Sequence, residues 1–355
     1  MAEIKLIIID DSAVMRKFLS DIAESDPEIT VAATAMDPII AVNKIKTIQP
    51  DVITLDIEMP RMDGLTFLSK LMISNPIPVI MVSTLTEKGA KETMRALQLG
   101  AVDFIAKPDL ENADSVKEFS LSLIEKIKSA KISRVKRIQA VNLDVEKKFT
   151  ADVILEKKDP VKNKIRSEKL IAIGASTGGT EVIDEILSNL PDNLPGIVIT
   201  QHMPEKFTLA FAERVNGKSK IYVKEAENGD RLYNGMAVIA PGGKHMLLNA
   251  DLNGYWIEIN EGPPVNRHKP SVDVLFRSVS QCAGKYALGI ILTGMGNDGA
   301  EGLLEMKLSG SKTIAQNEAS CVVYGMPKEA VKLGAADAEK DIKGIIDSII
   351  SYGRI

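Results

Sequence analysis

Short apolar runs alternate with amphipathic stretches from Ile4 to about Pro108. The runs IKLIIID (4–10), ITVAATA (29–35), DVITLD (51–56), PVIMVS (78–83) and AVDFIAK (101–107) have strand length. Between them, AVMRKFLSDIAES and GLTFLSKLMISN place apolar residues near 3.6-residue spacing, which predicts helices. Strand and helix in regular succession predict a parallel sheet covered on both faces. The texture then changes. From Lys126 to Lys169 the chain is dense in lysine and arginine, with little periodicity after Arg137. The pattern predicts a closing helix over about 114–130 and then a basic linker. A mobile solvated tether is the preferred reading of those charges, and a docking surface for an acidic partner is the sharper alternative.

Alternation resumes with KLIAIGA (169–175), GIVITQ (196–201), KIYVKEA (220–226), MAVIAPG (236–242), WIEIN (256–260), ALGIILTG (287–294) and KTIAQN (312–317). The segments EVIDEILSNL, VDVLFRSVSQCA and AEGLLEMKLSG are amphipathic helices by the same criterion. The whole predicts an α/β chain of two doubly wound, mainly parallel-sheet domains, with a β-hairpin in the 236–260 region. The expected frame is a first domain over 1–124, a linker over 125–165 and a second domain over 166–355.

Composition adds limits. A length of 355 residues suits two domains, and a net charge of −4 gives no sign of a nucleic-acid or membrane partner. Cys282 and Cys321 are the only cysteines and have no metal-ligand spacing, so reduced thiols are expected. The start MAEIKLIIIDDSA lacks the features of a signal peptide, and no apolar run approaches a membrane span. A cytoplasmic protein without membrane insertion is the expectation.

Ligands of open parallel sheets bind beyond the carboxyl ends of the strands, so the polar residues closing each run matter most. In the first half these are Asp10, Asp11, Asp56, Ser83 and Lys107. Converging carboxylates repel by about 1 to 4 kcal/mol per close pair, a cost that a bound Mg²⁺ relieves. A lone aspartate after a strand is often only a helix N-cap; the set is far more specific. DD, LDIEMPRMDG, VST and KP together resemble the receiver domain of two-component response regulators, a flavodoxin-like fold. The resemblance implies that Asp56 accepts a phosphoryl group from a histidine kinase. It implies further that Asp10, Asp11, Asp56 and the backbone carbonyl of Glu58 hold Mg²⁺, with Ser83 and Lys107 as the phosphoryl-sensing pair. Phe104 falls where many receivers carry a rotating aromatic residue.

In the second half Ser176, His202 and Asp298, preceded by Asn297, close three different runs. A hydroxyl, an imidazole and a carboxylate are the parts of an activated-serine site. His202 is preferred as base because it ends the strand next to the one bearing Ser176. His268 lies in a polar loop able to line the same cleft, and His245 reads as structural. Around Ser176, GASTGG lacks the lysine of a P-loop and carries a serine where a dinucleotide fingerprint needs its second glycine. G-x-S-x-G, Gly174 to Gly178, is the remaining match, a strand-to-helix elbow. The chain order Ser, His, Asp differs from that of α/β-hydrolases, which points to a separate fold with the same chemistry.

IGASTGGTE, ITQHMP, GPPVNRHKPSVDVLF, ILTGMGNDGA and AQNEASCVVYGMPKEA resemble the Rossmann-like catalytic domain of the bacterial chemotaxis protein-glutamate methylesterases. The resemblance implies that Ser176 attacks the γ-methyl ester of a receptor glutamate, that His202 takes its proton and that Asp298 orients His202. Met295, through its backbone N–H, and Thr177 would line the oxyanion site, and no cofactor would be needed there. It also implies deamidation of receptor glutamines, methyl-accepting chemotaxis receptors as substrates and a chemotaxis histidine kinase as phosphodonor. Competing readings are a receiver with a purely binding output domain, which lacks any helix-turn-helix signal, and a nicotinamide-dependent module.

Overall fold

The computed structural model describes residues 3–59, 62–84, 86–133, 135 and 168–354. Most of the basic linker lies outside these residues, and with it the choice between tether and docking surface.

The first half is a five-stranded parallel sheet in the order β2-β1-β3-β4-β5. Its strands are β1 (Ile4–Ile9), β2 (Ile29–Ala35), β3 (Val52–Asp56), β4 (Val79–Ser83) and β5 (Asp103–Ala106). Helices α1 (Ala13–Glu24), α2 (Pro38–Ile48), α3 (Gly64–Ser74), α4 (Glu87–Gln98) and α5 (Ala113–Ile132) cover it. Sequence-local oxygens start these helices. Ser12, Asp37, Asp63, Thr86 and Asn112 each accept a backbone N–H of the first turn. Strands β1, β3 and β4 are buried on both faces, which is why their sequences read as continuous apolar runs. Helix α5 runs past residue 124, the expected end of the first domain, to Ile132. Leu123, Ile127 and Ala130 keep one of its faces buried over that length.

The second half is a seven-stranded sheet in the order β14-β13-β12-β6-β7-β9-β8, parallel throughout. The strands are β6 (Leu170–Ala175), β7 (Gly196–Gln201), β8 (Tyr222–Glu225), β9 (Met236–Ile239), β12 (Ala287–Ile291), β13 (Lys312–Gln316) and β14 (Ala338–Lys340). The expected hairpin is present as β10 (His245–Asp251) paired antiparallel with β11 (Gly254–Asn260), apart from the large sheet. The helices are α6 (Gly179–Ser188), α7 (Phe207–Asn216), α8 (Val272–Cys282), α9 (Ala300–Leu308), α10 (Met326–Lys332) and α11 (Ile342–Arg354). No helix among the described residues is long and apolar enough to cross a membrane.

The halves touch through α4, β5 and α5 of the first and, in the second, α6, α7, the turn before α6 and the loop before α8. Phe104 stacks on Phe207 with ring centroids 4.6 Å apart. Thr177 Oγ1 donates to Asp103 Oδ2 at 2.5 Å, and Lys126 Nζ reaches the same oxygen at 2.9 Å. Arg214 donates to the carbonyl of Met94 at 3.3 Å, and Arg267 lies 3.5 Å from Glu125. One continuous cluster of buried apolar side chains runs from the first sheet into the second.

Candidate functional site

In each sheet the chain reverses its direction of winding once, between β1 and β3 and again between β6 and β12. A crevice opens beyond the strand ends at such a point. Asp10 and Asp56 sit at the first, Ser176 and Asp298 at the second.

Asp10, Asp11 and Asp56 bring one carboxylate oxygen each to within 4.8 Å of one another. Asp10 and Asp56 are buried, whereas Asp11 is exposed. Lys107 Nζ lies 2.9 Å from Asp56 Oδ2 and 3.2 Å from Asp10 Oδ2. Burial, with help from the Asp10 charge, raises the Asp56 pKa despite the opposing pull of Lys107. Burial likewise works against charge on Lys107, but Asp56 and Asp10 outweigh it and leave the Lys107 pKa raised. Three hard oxygen donors around one point, only partly neutralised by a single ammonium, fit a small divalent cation. Ser83, fully buried at the end of β4, donates to the carbonyl of Gly89 in α4 at 3.3 Å. Phe104 is buried in the contact between the halves.

The second crevice starts from strand register. Ala175 of β6 pairs with Gln201 of β7, so Ser176 and His202, one residue further on, leave the sheet side by side. Parallel neighbours are about 4.8 Å apart, which puts the two side chains within mutual reach. The backbone locks this arrangement. His202 N–H donates to Ala175 O at 3.1 Å, and Ser176 N–H donates to Thr293 O at 3.0 Å. Gln201 Nε2 donates to both Ser176 O, at 2.9 Å, and His202 O, at 3.2 Å. The elbow glycines have separate tasks. Gly178 takes a left-handed φ of 77° to open α6, and a Cβ there would meet Val322. Gly174 keeps α8 close, since its Cβ would fall 2.1 Å from Val272 Cγ1.

His202 Nε2 and Asp298 Oδ2 are 2.7 Å apart. Nδ1 of the same ring is buried without a hydrogen-bond partner among the described residues. Asp298, 1 % exposed, also accepts Val272 N–H on Oδ2 at 2.6 Å. Its Oδ1 accepts from Asn266 Nδ2 at 2.9 Å, Ser271 Oγ at 2.8 Å and Asp273 N–H at 3.3 Å. Two of these donors are N–H groups of the first turn of α8, whose dipole favours an anion. Burial opposes the charge, yet His202, Asn266 and the Val272 N–H hold the carboxyl far below the usual carboxylate range. Asp298 is therefore a fixed anion, and His202 donates its Nε2–H to it. Neither Thr177, which follows Ser176, nor Met295, which follows the Gly294 packed against Ser176, has a protein partner for its backbone N–H among the described residues.

Of the three residues singled out from sequence, His202 and Asp298 are in contact, and strand register sets Ser176 beside His202 at the same edge. His245 is structural as expected: it is buried, with Nε2 on Pro263 O at 2.9 Å and Nδ1 accepting Ser271 N–H at 3.2 Å. His268 does line the cleft, stacked on His202 with centroids 3.8 Å apart. Sequence reasoning missed Asn266, Ser271 and Gln201. Ser271 was detectable as the N-cap of α8. Asn266 adopts a φ of 52° in a loop where no local periodicity marks it.

Comparison with known proteins places both halves of the chain in described families. Residues 171–349 match the CheB methylesterase family model, and residues 6–115 match that of the response regulator receiver domain. A protein-glutamate methylesterase/protein-glutamine glutaminase of Geobacter metallireducens is 52% identical over 336 residues, 94% of this chain and 92% of its own. One from Xanthomonas oryzae is 53% identical over 334 residues, 93% of this chain and 95% of its own. Among solved structures, the Thermotoga maritima CheB methylesterase catalytic domain superposes with a TM-score of 0.51 at 37% identity. That match covers 52% of this chain and 97% of that one.

Proposed function

Since this chain belongs to the protein-glutamate methylesterase/protein-glutamine glutaminase family, with a receiver domain in front, we propose the following roles for its residues. Ser176 is the nucleophile. His202 accepts the serine proton on Nδ1, because Nε2 is committed to Asp298. Ser176 Oγ bonds to the γ-carbonyl carbon of a glutamate methyl ester, and the oxyanion takes hydrogen bonds from the N–H groups of Met295 and Thr177. The imidazolium of His202 then passes its proton to the departing methoxide. Methanol leaves an acyl-serine, water attacks with His202 again as base, and glutamate is released. With a glutamine substrate the leaving group is ammonia. The observation that carries the reading is the His202–Asp298 pair at 2.7 Å with an unpartnered Nδ1 beside the Ser176 strand end.

In the receiver, a histidine kinase phosphorylates Asp56; a phosphodonor fed by ATP places the reaction in the cytoplasm. Asp10, Asp11, Asp56 and the backbone carbonyl of Glu58 would hold Mg²⁺, which offsets the charge of the incoming phosphoryl group. Lys107 would pair with the phosphoryl oxygens. Ser83 would turn to them, giving up the Gly89 carbonyl at the start of α4. Helix α4 and strand β5 contact the second domain, so this exchange loosens the hold of Asp103 on Thr177 and of Phe104 on Phe207. Chemotaxis receptors then reach Ser176.

A fluorophosphonate probe and Ser176→Ala test the site together. The adduct should map to Ser176, and the variant should lose about 10⁴- to 10⁶-fold in methanol release from methylated receptor fragments. Near-normal release would overturn the assignment.

A further inference from the structure

The hydrogen bond to Asp298 holds the His202 ring at one atom only, which leaves the ring free to tilt about that contact. A second ring removes the freedom. His268 lies on His202 with 3.8 Å between centroids and 14° between planes. The loop that delivers it is built at some cost. Asn266 and Arg267 both take left-handed φ values, 52° and 67°, which costs about 1 to 2 kcal/mol per residue. Asn266 is held there by donating to both Asp273 and Asp298, at 2.6 and 2.9 Å. His268 in turn exchanges two backbone hydrogen bonds with Val265, at 2.8 and 3.1 Å.

The charged groups around the His268 ring are His202, Asp298, Arg267 of its own loop and Lys126 of α5. Burial, His202 and the two cations push its pKa down to about 3, while Asp298 opposes them. The ring is therefore neutral at working pH. A charged ring there would repel the imidazolium that forms on His202; a neutral one presents an electron-rich face to it.

We propose that His268 is a positioning residue for the esterase reaction. Its ring, flat against His202, fixes the orientation that keeps Nε2 on Asp298 and Nδ1 toward Ser176, and it stabilises the positive charge His202 acquires. The proposal rests on His202 being the base.

The test uses the full-length phosphorylated protein with His268→Ala and His268→Phe. Methanol release from a methylated chemoreceptor fragment gives kcat and KM, and fluorophosphonate labelling reports Ser176 reactivity without receptor binding. His268→Ala should lower kcat and the labelling rate by about 10- to 100-fold with KM changed less than about twofold. His268→Phe, which restores a flat face, should recover kcat to within about fivefold of the parent. A His268→Ala enzyme with kcat within about twofold of the parent overturns the proposal. So does a His268→Phe enzyme as slow as His268→Ala, since the ring face would then be irrelevant. An active Ser176→Ala control would sink the underlying site assignment instead; an inactive control confines any failure to His268.

Discussion

Replacing Asp298 by Asn keeps the shape of the residue and changes which way its hydrogen bonds run. Asp298 accepts five: Asn266, Ser271 and Asp273 donate to Oδ1, and His202 and Val272 donate to Oδ2. An asparagine satisfies the three donors on the Oδ1 side with its carbonyl. Its NH₂ then faces Val272 N–H, where the acceptor stood 2.6 Å away. One buried donor loses its partner, a cost of about 1 to 3 kcal/mol. The NH₂ also faces His202 Nε2, which must now accept. The ring proton therefore moves to Nδ1, the atom proposed to take the serine proton, and no base remains in the resting tautomer. The same inversion in a serine protease triad lowers kcat by about 10⁴-fold, equivalent to about 5 to 6 kcal/mol of barrier. The variant should fold with a lowered melting temperature, bind receptor fragments normally and hydrolyse them about 10³- to 10⁴-fold more slowly. Imidazole ¹⁵N spectra should show the proton on Nε2 in the parent and on Nδ1 in the variant. An Asp298→Asn enzyme within tenfold of parental turnover, or one with the proton still on Nε2, would refute this account of the ring.

Two further outcomes follow from the same geometry. Burial raises the Asp273 pKa to about 6, against the pull of Gly302 N–H and Asn266 and with the charge of Asp298 adding to the rise. An acid whose folded pKa lies above its unfolded value binds protons more readily when folded. Stability from this group therefore rises as pH falls from about 6 toward 4, by about 2 to 3 kcal/mol. Asp273→Asn should flatten that slope in urea titrations, and an unchanged slope would contradict it. Phe104→Ala empties a ring position stacked on Phe207, at a cost of about 3 to 5 kcal/mol shared between the receiver core and the domain contact. It should raise methylesterase activity of the unphosphorylated protein several-fold, also in an Asp56→Ala background; unchanged basal activity would show that this contact does not restrain the site.

Much of this was readable from the chain because parallel strands buried on both faces announce themselves as apolar runs, and the residue after each run is where chemistry collects. Asp10, Asp56, Ser83, Ser176 and His202 are singled out this way, and each stands at or one residue beyond a strand end. The preference for His202 over His268 followed from neighbouring strands, and the 175–201 register supports it. What was hidden depends on tertiary placement. Strand β10 starts at His245, whose ring is spoken for by Pro263 and Ser271, and β14 has only three residues. Helix α7 begins after Lys206 with no capping side chain to mark it. The support of Asp298 by Asn266 comes from a loop 32 residues away in sequence. Helix α5 ends at Ile132, close to the helix expected over 114–130, because residues 125–132 keep the apolar spacing that packs on the sheet.

The imidazole of His202 is mounted with its far nitrogen on the acid, so in the proposed mechanism the proton is handled by the atom bonded directly to Cγ. That atom lies close to the chain and moves little when the side chain rocks. Accuracy at the reacting centre is thereby inherited from the hydrogen-bond ladder between β6 and β7 instead of from a long, swinging arm. The loops beyond that edge are left free to diverge with the substrate they admit, while a slip of one residue between those two strands would disarm the enzyme.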